Sequence, residues 1–280
     1  MGVTGAMGEQ ITIIEPAGRW RGINVVELWR FRDLLWQLIW RDLRVRYKQT
    51  LLGAAWAVLQ PAMMMVVFTL FFGGTGRVSS GGLPYPVFVY AGLVAWTFFG
   101  GAVSSAAASV VGSERLITKI YFPRLAIPFS AVGAAVIDVA IATSLLLGMM
   151  GWYGIAPGPR ILLAPLILLM VGVMAAGVGA FLAALNVAYR DVRYVIPFMI
   201  QVWMFATPAV YTQGVGASAA ARIWVAVNPM NGLVAGFRAM TLGGDVPWTG
   251  LGTGMLSGVI LLLAGCLYFR RVEDGFADTI

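Results

Sequence analysis

The chain has 280 residues, 60% of them hydrophobic and only 11% charged, against about 25% charged in an average soluble protein. Long uncharged runs recur, so lipid is the solvent of this fold, and a formal charge of +7 points to anionic headgroups rather than nucleic acid. With no histidine and one cysteine, Cys266, the composition excludes a His-based triad, a His metal site and an internal disulfide.

Residues 1–26 read as a polar, Gly-containing cytosolic tail without the basic-then-apolar pattern of a cleavable signal peptide. Residues 27–50 predict an amphipathic interface helix. Arg30, Asp33, Gln37, Arg41, Arg44 and Lys48 recur at steps of three and four and draw one polar stripe, while Trp29, Trp36 and Trp40 join the apolar remainder. Rings and cations divided in this way suit the headgroup boundary of a membrane.

A membrane domain is expected over 51–271, with six spans at about 51–72, 87–111, 125–150, 161–185, 195–211 and 250–269. Pro61 interrupts the first, and the second carries Gly100, Gly101, Ala102, Ser104 and Ser105, small residues that let helices approach closely. The fourth carries Gly172, Gly177 and Gly179, and the fifth is short. The Gly-rich loop at 73–86 has no Lys-Ser/Thr after its glycines and is not a phosphate-binding loop. Short helical patterns flank NPMNG (228–232), so about 222–242 reads as a re-entrant or interfacial pair, and 272–280 as a cytosolic tail. Asp138, the one acid well inside a span, either pairs with a polar partner at a helix contact or lines a polar conduit. Fifteen of the 19 Lys and Arg fall in the N-terminal region, two alternate loops and the C-terminus. The other four are Arg77, Arg160, Arg222 and Arg238, so both termini are expected in the cytoplasm.

Five segments in order, RDLRVRYKQTLLGAAWAVLQP (41–61), PYPVFVYAGLVAWTFF (84–99), KIYFPR (119–124), NVAYRDVRYVIPFMIQVWMFATPAVY (186–211) and NPMNGLVAGFR (228–238), resemble bacterial ABC-type polysaccharide-export permeases. That family exports O-antigen, capsule and teichoic acid chains. The resemblance implies an all-α integral membrane protein of the exporter-type ABC permease fold: six spans, an N-terminal interface helix and a re-entrant pair before the last span. It implies a multi-pass homodimer in the bacterial inner membrane, working with two copies of a separate ATPase that binds ATP and Mg. This chain would hold no cofactor, metal or catalytic residue of its own, in keeping with its lack of GxxxxGK[ST]. The implied substrate is a glycan on a polyprenyl-pyrophosphate lipid. A same-fold exporter of teichoic acid, capsule, or a smaller lipid or drug is the alternative, and a membrane glycosyl- or acyltransferase is the rival from another class.

The resemblance also distributes roles. Arg41, Arg44, Arg46 and Lys48 are candidates for the pyrophosphate, because guanidinium makes bidentate phosphate contacts, or else are plain cytosolic anchors. Trp56, Tyr90, Trp96, Phe98, Phe99, Trp203 and Phe205 are candidate conduit rings on which sugar faces stack, or else lipid-facing and interfacial anchors. Lys119, Ile120, Tyr121, Phe122, Pro123 and Arg124, an apolar plug between charges, are the candidate coupling loop, joined by Arg190 and Asp191; a simple cytosolic turn is the alternative. Asn228, Pro229 and Met230 fall at the expected external gate.

Overall fold

The computed structural model describes residues 25–48, 53, 55–73, 82–117, 119, 122–189, 191–211 and 227–276, and among these it contains helices and no strand. A short helix α1 (Val25–Arg30) and a longer α2 (Arg32–Lys48) adjoin at Phe31. They are followed by α3 (Ala55–Phe72), α4 (Tyr85–Ser109), a one-turn α5 (Glu114–Ile117) and α6 (Ala126–Trp152). The chain continues through α7 (Ala164–Ala188), α8 (Val192–Ala206), α9 (Pro229–Leu242) and α10 (Trp248–Val272).

Five of these helices, α3, α4, α6, α7 with its 3-10 lead-in, and α10, are long and apolar enough to cross a membrane. The expected fifth span is instead the 15-residue α8, about 22 Å long and short of the roughly 30 Å hydrocarbon thickness. It ends at Ala206, and Thr207 to Val210 continue as buried, non-helical chain. Of the expected re-entrant pair the structure describes α9; the stretch 212–226 lies outside the described residues.

Helix α4 sits at the centre, against α3, α6, α7, α8 and α9. Its Pro86 in the first turn costs no intrahelical hydrogen bond, since the first N–H groups of a helix have no partner within it. Tyr90, Leu93, Phe99, Ala102 and Ala106 are fully enclosed by protein. Small residues make this possible: Gly92 lies under the Ala209 carbonyl, and Gly179 of α7 meets Ala106. Helices α7 and α10 also meet at backbone contact, where Gly177 rests on the backbone of Leu261 and Leu262, and Gly265 on Gly177. Side chains such as Leu70, Phe71, Leu162, Leu169 and Leu256 remain exposed, an apolar exterior suited to lipid.

A second apolar cluster gathers at the end of the bundle that carries Arg124 and Arg270. Leu38 of α2, Ile117 of α5, Phe122 and Leu125 before α6, Val187 of α7, and Phe269 and Phe276 meet there. A buried ionic knot ties this end together. Arg270 donates to Glu27 of α1 (3.0 Å) and to Glu273 (2.9 Å), and Arg124 donates to the Glu273 backbone carbonyl.

Candidate functional site

Helix α2 presents two faces, and its rotation decides what each basic residue can do. Ile39 packs on Gly133 of α6, Asp42 accepts from Ser130 of α6 (3.0 Å), and Arg46 and Tyr47 in the last turn both donate to Asp138. Asp138 lies near the middle of α6, so the C-terminal end of α2 reaches well along that helix. Trp29 of α1 and Trp36 and Trp40 of α2 are exposed, with Trp36 and Trp40 in edge-to-face contact at 5.9 Å. At 100° per residue, Arg44 and Lys48 project away from the α6 contact and are exposed. Arg41 is held by Asp42 (2.9 Å) and by the Ser113 hydroxyl (3.4 Å). Of the four candidate phosphate-binding residues, Arg46 lines a cavity beside Asp138, and the other three do not line it.

That cavity encloses about 700 Å³ between the end of α2 and helices α3, α4, α6 and α8. Arg46 and Asp138 are its only charged lining residues among those described, and Ser105 accepts from the second Arg46 nitrogen at 3.0 Å. Burial, and then the hydrogen bond to Asp138, raise the Tyr47 phenol well above its ordinary range, so it stays protonated as a donor. Gln60, Thr97, Ser104 and Gln201 add neutral polar groups, and the exposed Trp56 and the largely buried Trp96 and Phe98 complete the wall. Helix α3 runs unbroken through Pro61, which is buried at the cavity wall. Asp138 thus pairs at a helix contact and also lines the polar cavity.

The candidate aromatics separate into three groups. Trp56, 51% exposed, stands at the cavity wall with Trp96 and Phe98. Tyr90 and Phe99 are enclosed in the core; the Tyr90 hydroxyl donates to the Ala142 carbonyl (3.1 Å) and Phe99 packs against Trp96 and Trp203 at 5.5 and 5.1 Å. Trp203 also borders a separate apolar groove along α8, while Phe205 points outward and lines neither. At the expected gate, Asn228 caps α9 by accepting from Met230 N (3.1 Å) and also accepts from the Trp203 indole (3.1 Å). Its amide donates to Thr207 (2.8 Å) and to the Ala206 carbonyl (3.2 Å). This residue locks the end of α8 to the start of α9. Pro229 borders the apolar groove, and Met230 is fully buried.

In the coupling loop Phe122 is packed within this chain. The ring is 4% exposed and belongs to the second hydrophobic cluster, with Ile117, Leu125 and Phe269. Pro123 is buried, Arg124 reaches the Glu273 carbonyl, and Lys119 and Asp191 are exposed. Ile120, Tyr121 and Arg190 lie outside the described residues. Phe122→Ala is therefore expected to lower stability by about 3–5 kcal/mol through an internal cavity, measured as an earlier thermal unfolding midpoint in detergent.

Sequence reasoning passed over Tyr47, Gln60, Ser105 and Gln201 at the cavity. The two glutamines carried a usable signal, since an amide inside an apolar run needs a partner or a polar cavity. Arg238, counted above as a loop charge, in fact joins three segments: it donates to the carbonyls of Phe88 (3.2 Å) and Ala209 (2.5 Å) and stacks 3.7 Å over the Phe88 ring.

Residues 33–242 match the family model described as ABC-2 type transporter. The O-antigen export system permease protein RfbA of Myxococcus xanthus is 30% identical over 260 residues, which cover 91% of this chain and 98% of the relative. An O-antigen export system permease protein RfbA of Klebsiella pneumoniae is 25% identical over 250 residues, covering 89% of this chain and 95% of the relative.

Proposed function

This chain belongs to the ABC-2 type transporter family, and from that premise we propose that it is the transmembrane subunit of an exporter moving lipid-linked, O-antigen-like polysaccharide out of the cytoplasm. The observation that carries the reading is the cavity itself. It offers the exposed ring of Trp56, backed by the buried rings of Trp96 and Phe98, amides and hydroxyls at Gln60, Thr97, Ser104 and Gln201, and one cation, Arg46. A long polymer needs many weak contacts of this kind, with hydroxyls met by tolerant hydrogen bonds and sugar C–H faces by rings. A drug-sized apolar cargo would have little use for the amides. The names of the relatives, both O-antigen export permeases, support the same substrate class.

Several parts of the proposal rest on family membership rather than on contacts within the chain. These are a homodimer, two copies of a partner ATPase that binds ATP and Mg, a place in the bacterial inner membrane, and cytoplasmic termini. Exposed Lys119 and Asp191 remain available to such a partner, whereas Phe122 serves the fold. Replacing the chain by its Trp56→Ala variant in a producing strain tests the substrate class. Surface glycan is expected to fall several-fold, long chains more than short ones, when resolved by length on gels. An equal loss at all lengths would count against a sliding contact, and unchanged export would remove Trp56 from the conduit.

A further inference from the structure

We propose that Asp138 is an internal counter-anion that holds Arg46 until a diphosphate group on the substrate takes its place. The inference rests on the reading that the cargo is a glycan carried on a lipid diphosphate. Arg46 and Asp138 face one another across the junction of α2 and α6, inside a cavity whose other described lining residues are uncharged. The two side chains are partly enclosed between the helices, 32% and 26% exposed, and each offsets the other's lost hydration while no substrate is bound.

The geometry suits an exchange rather than a permanent strut. Arg46 binds one carboxylate oxygen, Oδ2, and Tyr47 donates to the other, Oδ1. When an incoming phosphate draws Arg46 away, Asp138 keeps the Tyr47 hydrogen bond and is not stranded. Ser105, now an acceptor from Arg46, remains beside the guanidinium. A phosphate can compete because it accepts both arms of the guanidinium fork with at least the charge of a carboxylate. A neutral sugar hydroxyl cannot compensate for a broken ion pair, so the cavity distinguishes the charged head of the substrate from its chain.

The test measures equilibrium binding of a radiolabelled polyprenyl diphosphate, carrying no sugar, to the full chain in nanodiscs of zwitterionic lipid. Asp138→Asn is expected to tighten binding about tenfold by removing the competing anion, and Arg46→Gln to weaken it by about as much. Asp138→Ser, which keeps an acceptor for Tyr47, should tighten binding in the same way. Weaker binding by the Asp138 variants, or failure of both to assemble, makes the pair a strut and overturns the proposal. Added inorganic pyrophosphate separates the sources: displacement assigns the contact to diphosphate in general, and no displacement assigns it to diphosphate delivered by its lipid. Either result supports the exchange if the Asp138 variants tighten binding. Wild-type chain that binds neither probe overturns the lipid-diphosphate reading along with it, whereas wild-type binding that Asp138→Asn leaves unchanged overturns the exchange alone.

Discussion

Gly265→Ala is expected to prevent accumulation of folded protein, and Gly177→Ala to do the same. A methyl group on Gly265 would overlap the Gly177 carbonyl oxygen, and one on Gly177 would overlap the backbone of Leu261 and Leu262. In both cases the obstacle is main chain, which cannot rotate away as a side chain can. Two long helices, α7 and α10, would have to separate along a shared face, and the loss should exceed about 3 kcal/mol for a single methyl. Gly252→Ala on the same helix α10 is the control, because nothing lies within 4 Å of its added methyl. It should be neutral or stabilising by about 0.5–1 kcal/mol, since alanine loses less entropy in a helix than glycine. Membrane-fraction yield and the unfolding midpoint in detergent read both effects. A Gly265→Ala protein as abundant and stable as Gly252→Ala would show that the two helices are not held at backbone contact.

Arg270→Met is expected to cost about 3–5 kcal/mol, the usual loss when one partner of a buried ion pair is removed. The Arg270 and Glu273 side chains are each 6% exposed, so water cannot replace the lost cation beside Glu273. The same change removes the ion pair that fastens α1 to the end of α10. Arg270→Met with Glu273→Leu should recover much of the stability, because apolar side chains of similar size often replace a buried pair without net loss. Thermal unfolding of the two variants in parallel makes the comparison. If the single and double variants unfold alike, the guanidinium contributes packing rather than charge. A double variant that regains stability but exports poorly would locate the importance of the knot in its link between α1, Arg124 and the C-terminal turn.

The distinction between Arg46 and its neighbours shows where local pattern loses its power. Steps of three and four correctly describe α2 as a helix with a polar stripe, yet they cannot say which side meets α6. Arg46 lies off that stripe, and only the docking of Ile39, Asp42 and Arg46 on α6 gives it a separate role. The aromatics behave similarly. Trp96 and Phe99 are three residues apart on α4, but one borders the cavity and the other is enclosed between neighbouring rings. Charge counting meets the same difficulty at Arg238 and Arg270, both of which have internal partners.

By itself the sequence determined the solvent and the class of fold, because runs of apolar residues long enough to cross hydrocarbon have few alternatives to helices whose backbone groups are satisfied internally. It also singled out Asp138, since a carboxylate in such a run is costly enough to require a reason. The tertiary structure alone decided what that reason is. Arg46 lies 92 residues from Asp138 in the chain, and Glu27 lies 243 residues from Arg270. Such partners are chosen by how whole helices rotate and dock, and at α7 and α10 that docking is decided by contact between main chains, which apolar periodicity does not encode.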